Sequence, residues 1–186
     1  MKKTQQRNTL GFGVAGLAVL LIACAAPATS ADDPTIIADS VASSTTEPDP
    51  GPFDFTAQTL DGRTIEGESL KGKDVVLWFW APWCPICLVE GKNQLAPALD
   101  ELPDGVELIG IAGRSDDLAA MDEFVEWTGT GGVEHIVDTD GSIWEGFEVV
   151  LQPAFYFVNQ DGTARRAGSG LTTDDLRAEF EILTEG

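Results

Sequence analysis

The feature that most constrains this chain is the join between an apolar run, Val75-Val76-Leu77-Trp78-Phe79-Trp80, and the pentapeptide Trp83-Cys84-Pro85-Ile86-Cys87. An unbroken apolar run of this length reads as a strand buried on both faces. Two cysteines three apart then face each other on the first turn of a following helix and can close a disulfide. The ring so formed is very small and removes little chain entropy from the unfolded state. Such a bridge serves chemistry better than it serves as a staple, and a strand followed by Cys-x-x-Cys reads as a redox site.

The rest of the globular region alternates strand and helix. Phe53-Asp54-Phe55-Thr56-Ala57 and Leu60 to Ile65, with the turn Asp61-Gly62, predict an N-terminal hairpin. Leu88, Leu95, Leu99 and Leu102 share one face of a helix from Pro85 to about Leu102. Val106 to Ala112 is a second buried strand. Ser115 is the expected cap of a helix through about Trp127, with Leu118, Met121 and Val125 facing inward. A short extended segment at His135-Ile136-Val137, a strand at Ala154 to Val158, a polar strand near Thr163 to Ala167 and a last helix from about Thr173 follow. In that helix Leu176, Phe180 and Leu183 face inward. This order implies an α/β fold, a mixed central sheet flanked by helices on both faces.

Residues 1–23 carry Lys2, Lys3 and Arg7 ahead of an uncharged apolar stretch, Leu10 to Ala23, which reads as a signal peptide. It ends in Leu21-Ile22-Ala23-Cys24, which resembles the lipobox of bacterial lipoproteins. That resemblance implies a lipidated Cys24 as the first mature residue and a membrane anchor; the alternative is an ordinary secretory signal cleaved near Ala26 to Ala28. Either way the expected location is extracytoplasmic, where disulfides persist. Residues 24–52 run through Pro, Ala, Thr, Ser and Asp, too polar to bury a core, and read as a disordered spacer. The globular domain is then 53–186.

Charge narrows the partners. The chain has 11 Lys and Arg against 31 Asp and Glu, a net charge of −20. Loss of the signal removes three positive charges and no acid, leaving about −23. A surface so acidic excludes a phosphate-backbone partner, so nucleic acid is not expected. It reads as a solubilising surface, with any hold on the membrane supplied by the lipid.

A helix starting at Cys84 aims free N–H groups and its positive end at the Cys84 sulfur. This favours the thiolate and makes Cys84 the nucleophile, with Cys87 as the resolving thiol. Pro85 suits the first helical position, where its missing N–H costs nothing. Zinc would need about four ligands; the domain offers no further cysteine and one histidine, His135, so no metal or cofactor is expected.

At this point the domain resembles the thioredoxin superfamily, and more narrowly the secreted TlpA-like and DsbE/DsbF-like thiol–disulfide proteins of actinobacterial type. The matching residues are Leu60-Asp61-Gly62, Gly72-Lys73, Phe79-Trp80-Ala81-Pro82-Trp83-Cys84-Pro85-Ile86-Cys87, Asp138-Thr139-Asp140-Gly141, Gln152-Pro153-Ala154-Phe155 and Asn159-Gln160-Asp161-Gly162. The resemblance implies a thioredoxin-like fold and a cis-proline at Pro153. A cis bond there would present the Gln152 backbone to a substrate strand. Trp83, Pro85, Ile86 and Gln152 are the implied substrate-binding residues. The resemblance also offers Glu90, three residues after Cys87, as an acid serving the thiols, against the alternative of a solvated helix residue. Two departures stand out: Lys92 replaces the proline usual in these relatives, and Trp78 stands where ordinary thioredoxins place a buried aspartate. Trp78, Trp80, Trp127 and Trp144 read as core or near-core aromatics, and His135 as structural.

The expected activity is extracytoplasmic thiol–disulfide exchange, in the oxidising direction, with secreted thiol- or disulfide-containing proteins as substrates and a membrane redox partner. The alternatives are a reductase of cytochrome c maturation or a similar pathway, and, in another class, a non-catalytic binding lipoprotein. A peroxiredoxin would want Thr or Ser where Ala81 stands.

Overall fold

A computed structural model describes residues 51–185, so the readings made of the signal peptide, Cys24 and nearly all of the spacer lie outside the described residues. Seven strands form one mixed sheet in the order β2-β1-β5-β4-β3-β6-β7. The strands are β1 (Thr56–Thr59), β2 (Thr64–Glu66), β3 (Asp74–Trp80), β4 (Val106–Gly113), β5 (Glu134–Asp138), β6 (Ala154–Val158) and β7 (Ala164–Ala167). β3, β4 and β5 run parallel, joined by helical crossovers as parallel neighbours must be. β6 pairs antiparallel with β3, and β1 antiparallel with β5. This is the thioredoxin-like α/β architecture.

The central strand explains the apolar run: from Val75 to Trp80 every side chain is buried, because both faces carry helices. Alternate residues go to opposite faces. Trp78 and Trp80 stack on each other, with ring centroids 5.7 Å apart, and Trp80 stacks on Phe124 at 4.2 Å. Phe79 meets Trp144 and Phe147 edge-on or tilted on the other face. Each such pair adds about 0.5–1.5 kcal/mol beyond its buried area.

The helices are α1 (Pro85–Glu90), which passes through a π-helical turn (Gly91–Leu95) into α2 (Ala96–Leu99); α3 (Leu118–Thr128); α4 (Ser142–Gly146); and α5 (Thr173–Thr184). In α5, Leu176, Phe180 and Leu183 are all fully buried, and Thr172 with Asp175 forms a capping box. The cap of α3 is Asp117, whose carboxylate accepts from the Ala120 N–H at 3.0 Å; Ser115 instead accepts from the Asp117 N–H, two residues too early to cap. Two apolar expectations for α3 fail with it. Leu118 sits in the open first turn, 52% exposed, and Trp127, expected near the core, is 54% exposed. Trp127 lies about 240° around the helix from Met121, whereas Met121, Phe124 and Thr128 form the buried stripe.

The sequence reading missed α4 and a 3-10 turn at Gly67–Leu70. α4 is nucleated from outside itself. Buried Asp138, at the end of β5, accepts from the Ile143 and Trp144 N–H groups at 3.1 and 2.9 Å, and Asp140 accepts from Ser142 at 3.0 Å. Gly141 supplies the left-handed backbone (φ 79°) between them. That network gives the Asp-x-Asp-Gly motif a structural purpose.

Candidate active site

β3 ends at the fully buried Trp80, and the chain turns through Ala81-Pro82-Trp83. The Cys84 N–H donates to the Ala81 carbonyl at 3.0 Å, which closes the turn, and Leu88 N–H donates back to the Cys84 carbonyl at 3.1 Å, which opens the helix. Cys84 is thus the N-cap of α1, in extended conformation, with Pro85 as the first helical residue. Its sulfur accepts the Cys87 N–H at 3.1 Å, one of the donors a helix start leaves unpaired. Cys84 and Cys87 are joined as a disulfide, their Cα atoms 5.3 Å apart. Cys84 retains 4% exposure and Cys87 none, so an incoming sulfur reaches the pair from the Cys84 side.

The rim of this disulfide is apolar. Trp83, Ile86 and Val89, spaced at i, i+3, i+6, are 55%, 57% and 58% exposed. Trp83 is held by its indole N–H, which donates to the Arg114 carbonyl at 3.3 Å. Val150 and Leu151, exposed at 68% and 74%, precede Gln152 and Pro153. The Gln152–Pro153 peptide is cis. Pro153 precedes Ala154, the partner of Phe79, so it lies beside the end of β3 from which the cysteine turn departs. An exposed apolar cluster of this kind marks an interaction surface. Val89, Val150 and Leu151 went unnoticed in the sequence. The usable signal was the run Val149-Val150-Leu151, which fits no element and stops at Gln152-Pro153.

Behind the disulfide the surroundings change. Glu90 is buried, not solvated, and neither carboxylate oxygen has a hydrogen-bond partner. Burial pushes its pKa above the ordinary carboxylate value, an effect that the nearby backbone N–H groups of Gly170 and Leu171 offset in part. Next to it the helix presses close to the sheet. A Cβ on Gly91 would lie 2.9 Å from the Trp78 ring and 2.9 Å from the Thr128 methyl. Trp78, six residues before Cys84, is fully buried there, and its indole N–H is also unpartnered. The helix accommodates this contact by its π turn and then resumes with Pro97 in the first turn of α2, five residues beyond Lys92.

His135 lies away from the sulfur chemistry. It is buried on β5, with Nδ1 accepting from the Trp80 indole at 3.2 Å and Nε2 facing the Thr130 carbonyl at 3.0 Å. Burial lowers its pKa. It acts as a core polar bridge.

A thioredoxin-like sheet with a Cys-x-x-Cys disulfide at a helix start and a cis-proline beside it defines a dithiol–disulfide protein. The AhpC/TSA family model matches residues 49–167, and the chain belongs to that family. It is 39% identical over 136 residues to the soluble secreted antigen MPT53 of Mycobacterium tuberculosis (strain ATCC 25618 / H37Rv), covering 70% of this chain and 75% of that protein. The thiol-disulfide oxidoreductase ResA of Bacillus subtilis (strain 168) is 25% identical over 129 residues, covering 69% and 71%. The solved structure of MTB dsbF in its mixed oxidized and reduced forms superposes with a TM-score of 0.66 at 40% identity, over 72% of this chain and 98% of that one.

Proposed function

We propose that this thiol–disulfide oxidoreductase works outside the cytoplasm as an oxidant of protein thiols. The observation that carries the direction is the Cys87 N–H aimed at the Cys84 sulfur at the start of α1. Donors there stabilise the Cys84 thiolate, and stabilising the reduced form makes the disulfide more oxidising. A substrate thiolate attacks Cys84 Sγ, and the S–S bond breaks with its electron pair on Cys87. Cys87 takes up a proton, for which buried Glu90, held toward its protonated form, is the assigned donor. A second substrate thiolate then attacks the substrate sulfur of the mixed disulfide and expels Cys84 as thiolate. The substrate leaves as a disulfide and the protein as a dithiol, to be reoxidised by a membrane redox partner. Trp83, Ile86 and the Gln152–Pro153 edge receive the substrate chain, and Pro85 sets the first turn on which the sulfurs sit.

The secreted character of the MPT53 relative and the charged-then-apolar residues 1–23 support the extracytoplasmic reading. Lipidation at Cys24 would keep an acidic protein at a membrane that its charge does not favour.

The test is the reduction potential of the Cys84–Cys87 couple, titrated against glutathione. A value at or above about −180 mV supports the oxidase; a value near −270 mV or below makes the protein a reductase, the second reading.

A further inference from the structure

Among the described residues only two non-glycines hold left-handed backbone, Arg114 (φ 59°) and Glu148 (φ 53°). They belong to separate segments, the end of β4 and the turn after α4, yet they meet at one place. Arg114 Nη2 donates to the Val149 carbonyl at 3.4 Å, and its guanidinium lies over the Trp144 ring, 5.0 Å from the centroid. Its backbone is tied as well: the N–H donates to the Asp138 carbonyl at 3.2 Å, and the carbonyl accepts the Trp83 indole N–H at 3.3 Å. A single residue therefore joins Trp83, directly before Cys84, to Val149, which leads into Val150, Leu151, Gln152 and Pro153.

A glycine would take this backbone conformation without cost, so the arginine is explained by what its side chain reaches. Arg63, Arg165 and Arg177 each pair with carboxylates, and Arg166 lies over the Tyr156 ring. Arg114 forms no ion pair among the described residues, although Asp140, Glu145 and Glu148 line the same hollow. Its cation is committed to a carbonyl and an indole. Left-handed backbone at non-glycine residues persists where the surrounding structure over-determines it, and such residues cluster at binding edges.

We infer that Arg114 is a positioning residue for polypeptide substrates: it fixes the gap between the Trp83–Cys84 turn and the exposed Val150–Gln152 segment, and so the groove in which the substrate chain lies during exchange. This rests on the thiol–disulfide reading above and adds to it a residue 27 positions beyond Cys87 in the sequence. Val150 and Leu151 are held out toward the substrate instead of folding onto the sheet, and the substrate class that fits is an extended segment with apolar residues beside its cysteine.

The test compares two reductants of the oxidised full-length protein: dithiothreitol, which needs no groove, and a reduced two-cysteine peptide with apolar residues flanking each thiol. Arg114→Gly removes the guanidinium and suits the backbone. It is expected to raise KM for the peptide on the order of tenfold, with kcat and the dithiothreitol rate held near wild type. Arg114→Lys, whose ammonium can still lie over Trp144, is expected to recover part of that loss. Wild-type peptide kinetics in Arg114→Gly would overturn the assignment. So would an equal slowing with both reductants, which marks damage to the disulfide or the fold. A wild-type protein that dithiothreitol does not reduce would bring down the exchange reading itself, and this one with it.

Discussion

Trp80 on β3 and His135 on β5 are joined across the intervening parallel strand β4 by one hydrogen bond, from the Trp80 indole N–H to His135 Nδ1 at 3.2 Å. Because Nδ1 accepts, the ring proton sits on Nε2, where it is donated to the Thr130 carbonyl at 3.0 Å. The neutral tautomer is therefore satisfied at both nitrogens, and protonation would put a proton where the indole already donates. Burial adds to this by disfavouring the cation.

The consequence is a pH-dependent stability with a definite sign. The folded-state pKa lies below the unfolded value of about 6.5, so the unfolded chain binds the proton more readily. The contribution is fully present above pH 6.5 and is lost as the pH falls from there through the folded-state value. Thermal unfolding followed from pH 7.5 to 5 is expected to show this loss in wild type and a flatter profile in His135→Gln, after the carboxylate background common to both is subtracted. Parallel profiles for the two proteins would mean that His135 titrates alike folded and unfolded.

The same pair explains why Gly110 sits between them on β4. A Cβ there would lie 2.1 Å from His135 Nδ1 and 2.8 Å from the Trp80 indole nitrogen. Trp80 is stacked on Phe124 and Trp78, and His135 is hydrogen-bonded at both ring nitrogens, so neither ring retreats freely. Gly110→Ala is expected to cost about 3 kcal/mol, at the upper end of overpacking losses, read as a lowered midpoint in urea. Gly132→Ala, with open space around its Cβ position, is the control and should differ little from wild type.

Much of this was legible in advance because it is written in local pattern. The buried strand at Val75 to Trp80, the disulfide at the following helix start and the inward stripe Leu176-Phe180-Leu183 all follow from periodicity and from the Cys-x-x-Cys spacing. What escaped depends on contacts between distant residues. α4 is too short to declare itself and is held by Asp138 from another strand. Trp127 looked like core because tryptophans are usually buried, and only the phase of α3 relative to the sheet places it outside. Glu90 could be read either way until the helix packed onto Trp78. The turn that leads into exposed Val150 and Leu151 takes a hydrogen bond at Val149 from Arg114, on another segment.

Cys84 and Cys87 differ in access, and this separates their variants. With Cys87→Ser, a substrate disulfide attacked by the Cys84 thiolate has no resolving thiol inside the protein, and a mixed disulfide should accumulate on Cys84 and be visible on non-reducing gels. With Cys84→Ser the remaining thiol is fully buried, and trapping should fall by at least about tenfold. Equal trapping by the two variants would contradict the assignment of Cys84 as the attacking sulfur.

Glu90 carries the last prediction, because stability and activity should move in opposite directions there. Its pKa is raised by burial, so its contribution to folding is fully present below the unfolded carboxylate value and is lost as the pH rises through the higher folded-state value. At neutral pH the protein thus carries a penalty that Glu90→Gln removes, since the amide cannot ionise. The variant should be the more stable at pH 7, by on the order of 1 kcal/mol, and the difference should shrink toward pH 4. The amide also cannot give a proton to Cys87. Exchange with a peptide dithiol should slow by about tenfold or more near neutrality, and the wild-type decline in rate at high pH, where Glu90 ionises, should disappear. A residue that only filled space would give the stability change with no change in the pH–rate profile. An unaltered profile would therefore remove Glu90 from the chemistry and leave its burial a packing feature of the helix against Trp78.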